Sequence, residues 1–302
     1  MSLPSLPKIS IVVPSFNQGK YIEDTITSVL DQGYPNFELF VFDGGSKDNT
    51  IEVLKKYDQH ITFWVSEPDK GQTDAINKGL RRATGDLLAY LNSDDFFLPN
   101  AFDYVAQAYQ AHPNAGLYTG NGLIVDGKKE NPKHYMRQIG YTYESLLKGS
   151  CYLLQPSTFI NRKAWDRVGE FDASLRFAMD LDYWLRVGKD FDVVLLNELL
   201  SAWRMHEDIK TSHGGMVRWV ELWNIYRKFT KDQITPGLLV EFFSILQSPI
   251  ISEQLRINVR DLSRQNFHQL YTEMQRTLRL QDCIPVGQGT LFKPQKISGP
   301  RP

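Results

Sequence analysis

The stretch KISIVVP, residues 8–14, is a run of β-branched and apolar side chains that ends at a proline. A short apolar run bounded in this way predicts a buried β-strand. Residues 21–30 follow it, with apolar side chains at the three- and four-residue spacing of one helix face. A strand, a short loop and a helix at the start of the chain predict the first unit of an α/β fold.

The same alternation continues over the first 120 residues. It predicts further strands at residues 36–43, 61–66, 86–92 and 115–121, and helices at residues 49–57, 73–83 and 101–111. Short connections between such elements indicate parallel strands joined by right-handed helical crossovers. We therefore expect an α/β fold with a mostly parallel central sheet flanked by helices.

After residue 121 the pattern is looser. It predicts an exposed loop or hairpin at 125–135, strands at 150–160 and 191–196, a helix at 180–187, and helical structure from 217 to about 280. We divide the chain into a domain over residues 1–215, with halves at about 8–120 and 121–215, and a helical C-terminal extension and tail over 216–302.

Composition and charge narrow the class of protein. The 302 residues include 34 Lys and Arg and 35 Asp and Glu, which gives a net charge of −1. This balance argues against nucleic acid as a partner. The two cysteines, Cys151 and Cys283, are far apart, which is typical of reduced thiols in a reducing compartment.

The sequence shows no secretory signal and no apolar run of about 20 residues, so we expect a cytoplasmic protein. The longest apolar segment, residues 238–251, predicts either a helix packed on the main domain or a segment at the membrane surface. Peripheral contact with the inner face of the membrane and a homodimer formed through the C-terminal helices both stay open.

Polar side chains end four successive predicted strands. In sheets of this type ligands bind beyond the carboxyl ends of the strands, so these side chains are expected to form one site. They are Ser15 and Asn17, then Asp43, then Glu67 and Asp69, and finally Asn92, Asp94 and Asp95.

Asp94 and Asp95 are the strongest candidates for a metal site. Adjacent carboxylates near other acidic side chains suit Mg²⁺ or Mn²⁺, which bind oxygen ligands and bridge to phosphates. The alternative is a turn or helix cap before the helix that follows Pro99.

Phosphate binding would depend on such a cation, because the chain lacks both G-x-x-x-x-G-K-[ST] and G-x-G-x-x-G. The N-terminus of the helix near Thr73 could assist. Asp74, Asn77, Lys78 and Arg81 share one face of that helix, and a solvated face is the alternative reading. Asp74 and Asn77 are thus candidate donor contacts.

Three long segments resemble family 2 glycosyltransferases. They are ISIVVPSFNQGKYIEDTITSVLDQGYPNFELFVFDGGSKDNT, SEPDKGQTDAINKGLRRATGDLLAYLNSDDFFLP and GEFDASLRFAMDLDYWLRV, and with WRMH the resemblance covers about residues 8–206. It implies the GT-A fold, a Rossmann-like sheet flanked by helices. It also implies inverting transfer of a sugar from a nucleoside-diphosphate sugar to an acceptor hydroxyl. A glycan or lipid-linked acceptor in bacterial polysaccharide, O-antigen or glycolipid synthesis fits this family.

The resemblance also implies a role for individual residues. The residues expected to contact the nucleotide or the rest of the donor are Pro14, Ser15, Asn17, Asp43, Asn92, Ser93 and Arg204. Those expected at the metal are Asp94 as the main ligand, Asp95 as a helper or structural neighbour, and His206. Three positions depart from the family pattern: Gly44 and Asn92 replace aspartates, and Met179 replaces a glutamate.

The segment FAMDLDYW resembles a motif of the family whose aspartate is the catalytic base, and the resemblance implies this role for Asp180. Inverting transfer needs a carboxylate close to the acceptor hydroxyl, to remove its proton as the oxygen attacks the anomeric carbon. Asp182 is the competing candidate, although at two residues further along a helix it should face elsewhere. Acidic residues favoured by the helix dipole would explain both without catalysis.

Two other functions stay open on the sequence. A non-catalytic sugar-nucleotide or glycan-binding protein would explain Gly44, Asn92 and Met179 as signs of decay. A nucleotidyltransferase on a similar sheet would need a glycine-rich, basic N-terminal loop for a triphosphate, and VVPSFNQGKY is a poor match to one.

Overall fold

The structure is a computed structural model, and it describes residues 6–127, 132–138, 140–149, 152–206, 210, 214–230, 235–239 and 241. It confirms an α/β fold in which helices flank a central sheet. The strands of the described residues form one sheet. Their order across it is Phe63–Ser66, Phe37–Asp43, Ile9–Ser15, Leu87–Tyr90, Thr158–Asn161, Leu117–Asp126, Val193–Met205 and Phe96–Phe97, with Pro132–Met136 beside Leu117–Asp126.

The first half of the chain folds as the alternation predicts. Its elements are β1 (Ile9–Ser15), α1 (Ile22–Leu30), β2 (Phe37–Asp43), α2 (Thr50–Lys56), a 3-10 turn (Asp58–His60), β3 (Phe63–Ser66), α3 (Gln72–Arg82) and β4 (Leu87–Tyr90). β1 pairs in parallel with both β2 and β4, and β2 pairs in parallel with β3. The carboxyl ends of these four strands therefore lie at one edge of the sheet, as expected from the polar residues that end them.

The second half of the sheet is mixed in direction. Its elements are β5 (Phe96–Phe97), α4 (Ala101–Ala111), β6 (Leu117–Asp126), β7 (Pro132–Met136), α5 (Tyr143–Leu147), a 3-10 turn (Gln155–Ser157), β8 (Thr158–Asn161), α6 (Arg162–Val168), α7 (Met179–Asp190), β9 (Val193–Met205) and α8 (Gly215–Phe229). β8 runs antiparallel to both β4 and β6, whereas β6 and β9 are parallel.

Of the elements predicted beyond residue 121, two strands need correction. The hairpin predicted at 125–135 is confirmed, because β7 pairs antiparallel with β6. Of the strand predicted at 150–160, residues 150 and 151 lie outside the described residues. The prediction is wrong at residues 155–157, where Gln155–Ser157 form a 3-10 turn that contains Pro156, and strand pairing begins only with β8. β9 runs nine residues beyond the predicted end at Leu196, because pairing with β6 continues through its polar positions.

The helical prediction from residue 217 is confirmed for α8, and most of the remainder lies outside the described residues. The tail and all but the first residues of segment 238–251 lie outside them too. No helix in the described part of the chain combines the length and apolar character that crossing a bilayer requires. The domain boundary near residue 215 stays a prediction.

Apolar cores cover both faces of the sheet. Alternate residues of β1 face opposite sides, so Val12 packs in one core while Ile11 and Val13 pack in the other. The Val12 core also contains Tyr183 of α7 and Ile225 of α8. The helix that carries the predicted base is therefore packed between the sheet and α8.

Gly79 offers a test of how closely α3 packs on β1. A Cβ at Gly79 would lie 2.3 Å from Val12 Cγ1, and Val12 is fully buried. We expect Gly79→Val to lower the free energy of unfolding by about 2 kcal/mol, because the core is overpacked. Urea unfolding measures the change. Gln107→Val, at an exposed position of α4, is the matched control and should cost about 0.5 kcal/mol; equal losses would contradict the close contact.

Candidate active site

A cavity of about 760 Å³ lies at the edge where the four parallel strands end. Its volume is in the range of pockets that bind small molecules and cofactors. It brings together eight of the candidate site residues from the sequence, namely Pro14, Ser15, Asp69, Asn92, Ser93, Asp94, Asp95 and Asp180. Residues far apart in the chain thus share one site.

One end of the cavity is suited to a flat ring. Phe16 is 59% exposed and lines the cavity beside Gly44 and Asp69. Ser15 is buried there, and within the described residues its Oγ has no hydrogen-bond partner. Buried polar atoms are nearly always hydrogen-bonded, so this hydroxyl has unused hydrogen-bonding capacity at the wall of the cavity.

Asp94 and His206 form the candidate metal position. His206 Nε2 lies 2.9 Å from Asp94 Oδ2, and the His206 ring packs against Tyr21. Two adjacent ligands of an octahedral Mg²⁺ ion, each about 2.1 Å from it, lie about 3 Å apart, so this pair fits such an ion. Among the described residues no three His, Cys, Asp or Glu side chains form a complete metal site. Further ligands would therefore come from a bound ligand and water.

The Asp95 carboxylate is buried and hydrogen-bonded within the protein, and it does not point toward Asp94 and His206. Its Oδ1 accepts the Arg204 N–H at 3.0 Å, and its Oδ2 accepts a hydrogen bond from the Asn92 amide at 3.3 Å. Burial, and then the charge of Asp94, raise the pKa of Asp95 well above its usual range. This placement fits the structural-neighbour role better than that of a metal ligand.

Arg204 lies behind the Asp94–Asp95 turn instead of facing the cavity. Its guanidinium donates to the carbonyl oxygens of Asp94 and Gly127, each at 2.8 Å, and to Asp24 Oδ2 at 2.7 Å. The side chain is 2% exposed. The direct donor contact predicted for Arg204 is therefore corrected to support of the turn that carries Asp94.

Four more residues that were predicted to contact the donor do not line the cavity, namely Asn17, Asp43, Asp74 and Asn77. Asp43 Oδ2 accepts the Ser46 N–H at 2.9 Å and the Ser66 hydroxyl at 2.6 Å, which stabilises the loop after β2. Asn17 Oδ1 accepts the Lys47 N–H at 2.8 Å in the same loop. The Asp43 carboxylate and the Asn17 amide therefore stabilise the loop after β2 at this edge of the sheet.

Asp74 and Asn77 of α3 bind within the protein as well. Asp74 pairs with Lys78 at 3.1 Å. Asn77 is buried, donating to the Phe171 carbonyl at 2.9 Å and accepting the Phe171 N–H at 3.1 Å. The alternative prediction, that this face of α3 is solvated, therefore fits Asp74. Asn77 instead connects α3 to the segment that leads to α7.

Asp180 reaches the cavity from the first turn of α7. Its Oδ1 accepts the Leu181 N–H at 2.9 Å, and the side chain is partly buried. Burial raises the pKa of Asp180 above its usual range, while the Leu181 N–H and the Arg218 guanidinium offset part of the rise. A carboxylate with a raised pKa at the wall of a cavity suits proton transfer.

Asp182 does not compete for this role. It is buried, and it pairs with Arg186 at 2.8 Å and with Lys228 at 3.2 Å. Two residues further along α7, it faces away from the cavity, as helical geometry predicts.

The family model described as Glycosyl transferase family 2 matches residues 10–169, which is more than half of the chain. The chain belongs to glycosyltransferase family 2. The match covers the four parallel strands and the Asp94–Asp95 turn, whereas α7 and α8 follow it.

Two similar family members come from bacteria. The putative teichuronic acid biosynthesis glycosyltransferase TuaG of Bacillus subtilis is 29% identical over 74% of this chain and 89% of its own. The UDP-Glc:alpha-D-GlcNAc-diphosphoundecaprenol beta-1,3-glucosyltransferase WfgD of Escherichia coli is 31% identical over 63% of this chain and 73% of its own. This family 2 glycosyltransferase is thus similar to one protein named for teichuronic acid biosynthesis and to another named as a glucosyltransferase.

Solved structures show the same fold. Residues 1–349 of TarS from S. aureus, in complex with UDP-GlcNAc, superpose with a TM-score of 0.62 at 18% identity, over 79% of this chain and 72% of that one. The mannosyltransferase PcManGT from Pyrobaculum calidifontis, in complex with GDP-Man and Mn²⁺, gives 0.57 at 17% identity, over 91% and 86%. The GT-A fold expected from the sequence is confirmed.

Sequence analysis missed several residues at the candidate site, and three of them show which signals were available. Phe16 follows the end of the first predicted strand, in the segment PSFNQG. An aromatic side chain at that position was the sequence signal that could have identified it. Gln72 donates from Nε2 to Asn92 Oδ1 at 2.7 Å. Its position at the start of α3 was a weaker sequence signal. Glu221 of α8 accepts hydrogen bonds just before α7. Its distance in sequence from that segment left no local signal.

Arg204 provides a test of how the turn is stabilised. Removing its guanidinium leaves Asp24 without its partner and the two carbonyl oxygens unsatisfied. We expect Arg204→Ala to lower the free energy of unfolding by about 3 kcal/mol, measured by urea unfolding, because two carbonyl oxygens lose their donors. Arg167→Ala is the matched control, since Arg167 is 72% exposed and 3.7 Å from Asp190. The control should lose less than about 1 kcal/mol. A similar small loss for Arg204→Ala would contradict its structural role.

Proposed function

We propose that this family 2 glycosyltransferase moves a sugar, with inversion, from a nucleoside-diphosphate sugar to the hydroxyl of a lipid-linked glycan. The observation that carries the proposal is that Asp180 lines the same cavity as Asp94. A candidate base and a candidate phosphate-binding position then line one space that is large enough for a donor.

The donor's base and its diphosphate are assigned to different parts of the cavity. The exposed ring of Phe16 offers a stacking surface for the base, and Ser15 Oγ offers a hydrogen bond. Asp94 and His206 would hold Mg²⁺ or Mn²⁺ beside the diphosphate. When bound, a divalent cation stabilises the negative charge that grows on the leaving diphosphate. The complexes of TarS with UDP-GlcNAc and of PcManGT with GDP-Man and Mn²⁺ support this assignment.

Asp180 acts as the base of a single displacement. Its carboxylate takes the proton of the acceptor hydroxyl while that oxygen forms a bond to the anomeric carbon. The bond from this carbon to the diphosphate oxygen breaks, and the nucleoside diphosphate leaves with the electron pair. Attack from the face opposite the leaving group inverts the anomeric centre. The raised pKa of Asp180 suits this role, because it strengthens the base near neutral pH.

The acceptor is assigned to the part of the cavity lined by residues beyond 150. Tyr152 and Phe177 offer apolar surface there, while Arg176 and Lys210 offer positive charge. A sugar joined to a lipid through a diphosphate has both apolar and anionic groups. The names of WfgD and TuaG support this class of acceptor and a role in cell-envelope polysaccharide synthesis.

Replacing the base tests the mechanism. We expect Asp180→Asn to slow donor hydrolysis by about 100- to 10,000-fold, because the amide cannot take a proton. Donor affinity should change by less than about threefold. In the wild-type enzyme kcat should fall as pH decreases through the raised pKa of Asp180, since only the ionised carboxylate is active. Release of nucleoside diphosphate measured against pH checks both statements. Wild-type turnover by Asp180→Asn would exclude this base.

Removing the metal position tests donor binding. A thermal-shift screen of UDP-, GDP- and dTDP-sugars with Mn²⁺ should show stabilisation of the wild-type protein by one nucleotide class. We expect Asp94→Ala to lose at least tenfold in Mn²⁺-dependent donor affinity, because the ion loses a carboxylate ligand. Asp103→Asn, at an exposed position of α4 away from the cavity lining, controls for a general loss of binding and should keep the Mn²⁺ dependence. Donor binding without turnover in every condition would favour the non-catalytic alternative.

A further inference from the structure

A carboxylate from α8 occupies the turn that precedes α7. The N–H groups of Arg176, Phe177 and Ala178 donate to Glu221 at 2.7, 2.7 and 2.6 Å. Ala178 is the N-cap of α7 and makes no side-chain cap hydrogen bond. Three successive N–H groups form a concave site for an anion, and here a residue from another helix fills it.

The same helix contacts α7 again on the far side of Asp180. Lys228 lies seven residues after Glu221, which places both on one face of α8. Its Nζ lies 3.2 Å from Asp182 Oδ1 and 3.5 Å from Asp172 Oδ2. α8 therefore binds the chain both before and after the proposed base.

We propose that Glu221 is a positioning residue for Asp180, and that its three main-chain hydrogen bonds fix the direction in which Asp180 faces the acceptor. Asp180 comes two residues after Ala178, so a change in this turn rotates the first turn of α7 and displaces the carboxylate. Small displacements of a reacting group cost large factors in rate. The inference rests on the proposed role of Asp180 as the base.

The charge of Glu221 also acts on Asp180. It contributes to the raised pKa of Asp180, after the larger effect of burial. The other titratable or charged groups that act on Asp180 or are acted on by it are Arg218 of α8, Lys210, Tyr90 of β4 and Tyr152. Of these groups, Glu221 alone combines a charge effect on Asp180 with hydrogen bonds to the backbone that carries it.

Two substitutions separate the geometric and electrostatic effects. Glu221→Ala removes all three hydrogen bonds, and we expect kcat for donor hydrolysis to fall about 100-fold while KM for the donor changes by less than about twofold. Glu221→Gln keeps an acceptor oxygen and loses the charge, so kcat should fall less. Because the negative charge is gone, the pKa of Asp180 falls and the acid limb of the kcat profile should move to lower pH.

The matched controls are Glu144→Ala and Glu144→Gln, which change an exposed glutamate of α5 that pairs with Lys148 at the end of the helix. Both should keep wild-type kcat and the wild-type acid limb. Thermal unfolding of each variant identifies the folded proteins, and Glu221→Gln decides the outcome if Glu221→Ala does not fold.

Asp180→Asn, measured in the same assay, separates the two proposals. If Asp180→Asn is inactive while folded Glu221 variants keep wild-type kcat and pH profile, the positioning role is wrong and the base assignment stands. If Asp180→Asn keeps wild-type turnover, the proposed function fails and the role of Glu221 fails with it. A slower Glu221→Gln with an unchanged donor KM and a shifted acid limb supports the proposal.

Discussion

The rest of the site depends on the hydrogen bonds made by the buried guanidinium of Arg204. It reaches from β9 to α1 through Asp24, to the end of β6 through the Gly127 carbonyl, and to the Asp94 carbonyl. A buried charge is costly unless hydrogen bonds compensate for it, and here they come from three separate parts of the chain. The mixed half of the sheet is thereby joined to the parallel half at the point where Asp94 meets His206.

The parallel half of the fold was predictable because its signals are local. Each strand is a short apolar run, and each helix has apolar residues on one face, so the alternation is visible within ten or fifteen residues. Parallel pairing then places the strand ends at one edge, which explains why Ser15, Asn92 and Asp94 were found from sequence. The resemblance to the family added Asp180 and His206, which no local pattern would have connected to that edge.

The remaining features depend on contacts between distant residues. The length of β9 follows from its pairing with β6, and nothing in its own pattern marks the end. Asn77 and Asp43 have the residue types of a binding site, yet backbone groups of other segments use their polar atoms. Glu221 reads as an ordinary charged position on an amphipathic helix. Residue type gives the chemistry a side chain can perform, whereas its partners in the fold decide whether that chemistry is available.

The three departures from the family pattern are each matched by a specific contact, which argues against decay of the site. A Cβ at Gly44 would lie 3.0 Å from Asp69 Oδ2 and 3.3 Å from the Phe16 ring, so the missing side chain leaves room for both. An aspartate at position 92 would place a carboxylate against buried Asp95, whereas the amide of Asn92 donates to it.

Met179 is buried, and its sulfur accepts a hydrogen bond from the Thr73 hydroxyl at 2.7 Å. A glutamate there would carry a second charge beside Asp180 in a partly buried wall, and like charges so close would raise the pKa of Asp180 further. With methionine at this position, the neighbouring negative charge comes instead from Glu221, whose oxygens are bonded to the backbone. Methionine at this position therefore changes the charges around Asp180 and leaves the proposed base itself in place.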